Sequence, residues 1–172
     1  MIVMEPVVEI SDDGTALLVL GAAMTGQEVE RALAVIAAAS GAEGALADAE
    51  CLIAPGGVQL RDAATGVRIP PGCCFGLESW RDWAVLAEGR MPEWTGHGPL
   101  PEVEFLEDGV IRMTGSQGVP QRRRGEVAGL LEGVRQALLG FLGRVARQTG
   151  PRSGAGALVR RLDEEFGVTH PG

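Results

Sequence analysis

Glu102-Val103-Glu104-Phe105-Leu106-Glu107-Asp108-Gly109-Val110-Ile111-Arg112-Met113 is the stretch that decides the fold class. Asp108-Gly109 lies between two apolar-alternating runs, and glycine supplies the positive φ that a tight hairpin turn requires. Val103 and Phe105 on one side, Ile111 and Met113 on the other, alternate with period two, so the hairpin buries one face. After a polar stretch over 115–124, Val127, Leu130, Leu131, Val134, Leu138, Phe141, Leu142 and Val145 recur at steps of three and four. That spacing predicts an amphipathic helix over about 125–148 with one core-facing stripe.

Upstream, Val7–Ile10 and Thr15–Leu20 read as two strands around Ser11-Asp12-Asp13-Gly14. Thr25, with Glu28 three residues later, has the spacing of a capping box. It opens a helix striped by Val29, Leu33 and Ile36 that ends at Ser40-Gly41. A Gly/Ala-rich loop follows over 41–48. Cys51–Ala54 and Val58–Leu60 fit short strands about Pro55-Gly56-Gly57, and Val67–Ile69 a further strand that Pro70-Pro71-Gly72 stops. A helix is expected from about Leu77 to Ala87. At the C-terminal end, residues 150–156 read as a hinge and Ala157–Phe166 as a short charged helix. The expected architecture is α+β: a mostly antiparallel sheet, with helices at about 25–39, 77–87 and 125–148 packed largely on one face. Residues 1–149 form the domain and 150–172 a helical appendage.

The length of 172 residues suits one domain able to bury a core without disulfides or metal. All 15 basic residues are Arg, and Lys, Asn and Tyr are absent; genomic base composition accounts for this bias better than a demand for bidentate anion contacts. The net charge of −8 is unevenly spread. Residues 1–110 carry 18 Asp/Glu against 5 Arg, and residues 111–172 carry 5 Asp/Glu against 10 Arg. Such asymmetry marks either an acidic face that meets a basic partner or two halves that neutralise one another in the fold. Nonspecific nucleic-acid binding is disfavoured for the whole chain. No run approaches the ~18 apolar residues that span a bilayer, and Met1–Pro6 lacks a basic n-region, so the expected location is the cytoplasm. Three cysteines, two of them adjacent, make no disulfide framework, and reduced thiols are expected.

The densest constellation runs from Pro70 through Cys73-Cys74-Phe75-Gly76-Leu77-Glu78-Ser79-Trp80-Arg81-Asp82-Trp83, then Glu93-Trp94-Thr95-Gly96-His97-Gly98-Pro99. Trp80, Trp83 and Trp94, with Glu78, Arg81, Asp82 and Glu93, are the candidate partner-binding set, because Trp and Arg dominate interface hot spots. The competing account packs Trp80 and Trp83 on the sheet with their N–H groups on carbonyls, while Trp94, in a Gly/Pro-rich loop, stays exposed. Cys74 just before a helix N-terminus, with His97 as base and Glu78 as third member, is the one candidate nucleophilic set. No metal is expected, since vicinal cysteines point apart and strain a shared tetrahedron, and His170 has no partner pattern. No cofactor is expected either. Phosphate-loop, lysine Schiff-base, G-x-S-x-G and H-E-x-x-H chemistries lack their residues. Arg122-Arg123-Arg124 either contacts phosphate or an acidic partner, or forms a solvated loop that offsets the acidic half.

The run Gly72–Trp83, with Trp94–Pro99 and the late long helix, resembles small uncharacterised proteins of high-GC actinobacteria, some of which look like immunity proteins of toxin systems. The resemblance spans about residues 50–148 and brings no catalytic residue with it. The acidic first 110 residues, the Trp-rich helix–loop and the lack of a complete catalytic set lead instead to the expectation of a cytoplasmic, non-enzymatic protein-binding domain, in its sharpest form an immunity protein that neutralises a basic toxin through an acidic, Trp-containing surface. The alternatives are a small cysteine-dependent enzyme using Cys74 and His97, and a self-associating structural protein that dimerises through the long helix.

Overall fold

The computed structural model describes residues 2–11, 16–97, 102–115, 118, 120–149 and 154–169. The chain is α+β, with two antiparallel sheets of four and three strands. Strand β1 (Ile2–Glu9) is flanked by β2 (Leu17–Val19) and β3 (Gly56–Asp62), and β4 (Arg68–Ile69) completes the first sheet in the order β2-β1-β3-β4. Ile2, Met4, Pro6 and Val8 point to one buried, apolar face, and across β3 they pair in turn with Asp62, Leu60, Val58 and Gly56.

Pro6 sits inside this central strand and limits its pairing. Its carbonyl accepts the Leu20 N–H at 2.9 Å, but the return bond cannot form without a proline N–H, and the β1–β2 ladder covers only Val7–Glu9. The opposite face of the sheet is polar at its centre. Gln59, 1% exposed, donates to Glu5 at 2.9 Å, and Glu5 also takes Nε and Nη2 of Arg61 at 2.9 and 2.6 Å. The carboxylate thereby satisfies a buried amide and a guanidinium together.

The Pro55-Gly56-Gly57 run is no turn. Cys51–Ala54 lies outside any strand, and Gly56–Asp62 is one continuous strand. Gly56 has φ +138°, and a Cβ there would fall 2.2 Å from the Val7 carbonyl oxygen, so glycine serves close approach of β3 to β1. The Asp12-Asp13-Gly14 turn lies outside the described residues.

Helix α1 (Gly26–Ala39) starts at the expected capping box: Thr25 N donates to Glu28 at 2.7 Å, and Glu28 N donates to the Thr25 hydroxyl at 3.3 Å. Val29, Ala32 and Ile36 are its buried residues, and Leu33 is half-buried. Within the Gly/Ala-rich loop a short 3₁₀ turn covers Leu46–Asp48.

The segment Leu77–Glu88 is a 3₁₀ helix of twelve residues, not an α-helix. Leu77, Trp80, Trp83 and Leu86 recur every third residue and are all buried. At three residues per turn these side chains eclipse along one line, whereas 3.6 residues per turn would rotate them progressively off the core.

The second sheet contains β5 (Glu102–Phe105), β6 (Val110–Thr114) and β7 (Gln121–Arg123). The expected hairpin is present, with Val103 opposite Met113 and Phe105 opposite Ile111. The Arg run is a correction. It is not a loop but an edge strand followed by a 3₁₀ turn at Arg124–Glu126. Arg122 Nη1 donates to the Gln121 carbonyl at 3.5 Å, the Arg123 N–H goes to the Glu126 carboxylate at 3.0 Å, and the Arg124 guanidinium lies 5.6 Å from the Phe105 ring centroid. The strand's own side chains therefore occupy part of its open edge.

Helix α2 (Val127–Thr149) lays Val127, Leu131, Val134, Leu138, Phe141, Leu142 and Val145 on the core. Gly140 allows a close crossing, since a Cβ there would meet Ala22 N at 2.6 Å. Helix α3 (Ala155–Phe166) lies in the segment expected as an appendage, and it packs into the same core through Leu162, Phe166 and the following Val168. Trp80 Nε1 donates to the Phe166 carbonyl at 2.8 Å, and Arg81 donates to the Gly167 carbonyl. Among the described residues no helix is long and apolar enough to cross a membrane.

Candidate functional site

Two segments of the dense sequence cluster have opposite fates. Trp80 and Trp83 are 2% and 6% exposed, and their indoles belong to the core rather than to a partner-binding surface. The period-three stripe of their 3₁₀ helix turns them inward. The Trp80 N–H finds a carbonyl as the packing account requires, whereas Trp83 Nε1 is buried with no hydrogen bond among the described residues and its ring meets Phe75 edge-on at 6.3 Å. Arg81 is likewise spent internally: its guanidinium carbon lies 4.4 Å from the Trp80 ring centroid while it donates to Gly167. Glu78 folds back over Gly76, where a Cβ would lie 1.8 Å from its Oε1. Glu78 is exposed as a residue, but desolvation of the carboxyl where it folds over Gly76, foremost, with the charges of Glu165 and Asp82 adding, holds it above its ordinary range.

Trp94 is 50% exposed, and Glu93 beside it is exposed too. This segment is fixed by a two-residue antiparallel bridge between Cys73 and His97. Cys73 N donates to the His97 carbonyl at 3.2 Å, and His97 N to the Cys73 carbonyl at 2.9 Å. Gly96 makes the bridge possible: it has φ +85°, and a Cβ would sit 2.5 Å from the Cys73 carbonyl oxygen. The imidazole of His97 and the indole of Trp94 pack edge to face, 5.0 Å between centroids and 86° between planes.

Cys74 turns the chain from this bridge toward a second one, between Pro55 and Gly76, and does so at φ +60°. Among the described residues it is the one non-glycine with positive φ, a conformation that costs an L-residue about 1–2 kcal/mol. The reversal overturns the expectation that adjacent cysteines diverge. Donor atoms of Cys73, Cys74 and His97 all lie within 4.8 Å of one another, and all three residues are exposed. Both thiols are free, as is exposed Cys51.

The Cys74 thiol is pushed above its ordinary value, first by its hydrogen bond with Cys73 and by the charge of Cys73, then by burial and the charge of Glu9. A nucleophile needs the opposite shift. The Glu78 carboxylate that would complete a triad folds over Gly76 and is not among the donor atoms gathered at Cys73, Cys74 and His97. The structure thus brings Cys73, Cys74, His97 and Trp94 together, leaves Asp82 exposed on the 3₁₀ helix, and withdraws Trp80, Trp83 and Arg81 into the fold. Sequence reasoning missed the pairing of residues 73 and 97 because it is a long-range contact. Its local trace is Gly96, whose positive φ and missing Cβ let the backbones approach. His170 and Gly98-Pro99 lie outside the described residues. Comparison with protein-family models, with curated proteins and with solved structures gives no match.

Proposed function

We propose that this chain is a non-enzymatic protein-binding domain whose contact surface is centred on Trp94. The observation that carries the reading is a half-exposed indole held in one orientation by the His97 ring and by the Cys73–His97 bridge. An anchor ordered before contact loses little conformational entropy on binding, and such aromatics contribute about 2 kcal/mol or more at interface centres. Glu93 and Asp82 are exposed and the chain carries −8, which favours a basic partner. A toxin-neutralising immunity protein is the narrowest member of this class. Arg81, Trp80 and Trp83 contribute by holding the scaffold.

The cysteine-enzyme alternative draws support from the closeness of Cys74 and His97 and loses it on the raised thiol. Self-association through the long helix is weakened by the burial of its apolar stripe.

The test is affinity capture from lysate of the source organism, using the wild-type chain and Trp94→Ala, Glu93→Arg and Asp82→Arg variants as bait. A basic partner retained by the wild type, weakened at least about 30-fold by Trp94→Ala and less by the charge reversals, is the expected result. A partner that binds Trp94→Ala as well as wild type sinks the Trp94-centred surface. A partner unaffected by both charge reversals sinks its acidic version.

A further inference from the structure

The exposed thiol pair and imidazole form a donor set whose ligating atoms the protein-binding reading leaves unused, although it relies on the His97 ring to orient Trp94. Three features converge there. Donor atoms from two segments, 73–74 and 97, lie within 4.8 Å of one another, close enough for one ion to be shared. The geometry is held by backbone that has alternatives only at a cost: the left-handed Cys74 and the glycine at 96 that admits the bridge. A strained conformation at an otherwise ordinary surface turn points to what its side chains do together. Finally, the Trp94 ring packs edge to face against the His97 ring and restricts the imidazole's rotation.

We propose that Cys73, Cys74 and His97 form a binding site for one zinc ion. Two sulfurs and an imidazole nitrogen suit a borderline-soft d¹⁰ cation and not the oxygen-seeking Mg²⁺ or Ca²⁺. Binding releases both thiol protons to solvent: two S–H bonds break, two Zn–S bonds form, and the two thiolates neutralise the ion's charge. Nothing is oxidised or reduced. Three protein donors leave the fourth tetrahedral position to water or to a ligand from outside the chain, and exposure of all three residues lets an ion arrive without opening the fold. This inference is independent of the protein-binding reading, because it needs no partner.

The experiment is calorimetric titration of the reduced, full-length chain with Zn²⁺, with Co²⁺ as a spectroscopic substitute. The expected result is one ion per chain, with thiolate-to-cobalt charge-transfer absorption and the strong visible bands of a tetrahedral site. Cys73→Ser and His97→Ala should each weaken zinc binding about 100-fold or more. Cys74→Gly should do the same while keeping the left-handed turn at no steric cost. Cys51→Ser should bind as wild type does. Gly96→Ala, which drives a Cβ into the Cys73 carbonyl and touches no donor, should weaken binding about tenfold. Far-ultraviolet circular dichroism of each variant shows whether the fold is kept. Binding unchanged in His97→Ala, lost to the same degree in Cys51→Ser, or absent in the folded wild type overturns the site.

Discussion

The 3₁₀ helix Leu77–Glu88 and the ledge carrying Trp94 and His97 are neighbours in sequence and alike in composition, yet one is core and the other surface. Both hold tryptophan, a carboxylate and glycine at their margins. The difference is periodicity. Trp80 and Trp83 sit in a repeat of three with Leu77 and Leu86, and a 3₁₀ helix aligns that repeat into one line, which must be buried. Trp94 has no apolar residue in register with it. Its neighbours Pro92, Glu93 and Gly96 build no regular element, and its position comes from the isolated bridge between Cys73 and His97 and the contact with the His97 ring. An aromatic residue in a periodic array is thus a packing residue, and one held by an isolated contact is free to meet something else.

The largest effect that could break this contrast is a matched pair of truncations. Trp80→Ala removes a buried indole and leaves the Phe166 carbonyl without its donor, and should cost about 3–5 kcal/mol, lowering Tm by roughly 10 °C. Trp94→Ala should cost under about 1 kcal/mol. Urea unfolding of both variants checks this, and equal losses would place Trp94 in the core.

A smaller effect is expected at Glu78, an exposed residue whose carboxylate lies over Gly76. Its carboxyl is raised above the ordinary 4.5, foremost by burial. A raised group contributes stability below its unfolded value and loses it as pH rises through its folded value. At pH 7 the charged form therefore opposes folding, weakly because solvent screens an exposed carboxylate, and Glu78→Gln should melt marginally higher than wild type. The gap should close below about pH 4, where both forms are neutral. Thermal melts at pH 7 and pH 3.5 give the answer, and a Glu78→Gln variant that melts lower than wild type at pH 7 would contradict it.

The elements that sequence reveals here are those with local causes. The Thr25–Glu28 capping box, the Asp108-Gly109 hairpin and the three-four stripe of Val127–Val145 are each written within a few residues. The α+β class follows from them. Three features were not legible in the same way. The stripe of Leu77, Trp80, Trp83 and Leu86 carries a period of three, and reading it as a generic helix gives the wrong turn. Gly56 looks like a turn residue, but its freedom is used for contact with Val7, which depends on a strand fifty residues earlier. The site itself depends on the pairing of Cys73 with His97 and on a left-handed Cys74, and neither has a local signature strong enough to override the ordinary divergence of adjacent side chains.

Hydrogen exchange of the three indole N–H groups, followed by nuclear magnetic resonance, tests the division between packed helix and exposed ledge most directly. Trp80, bonded to the Phe166 carbonyl in the core, and the buried Trp83 should exchange slowly, and Trp94 should exchange at close to the rate of free indole. A protected Trp94, or a Trp80 that exchanges as fast as Trp94, would contradict the account.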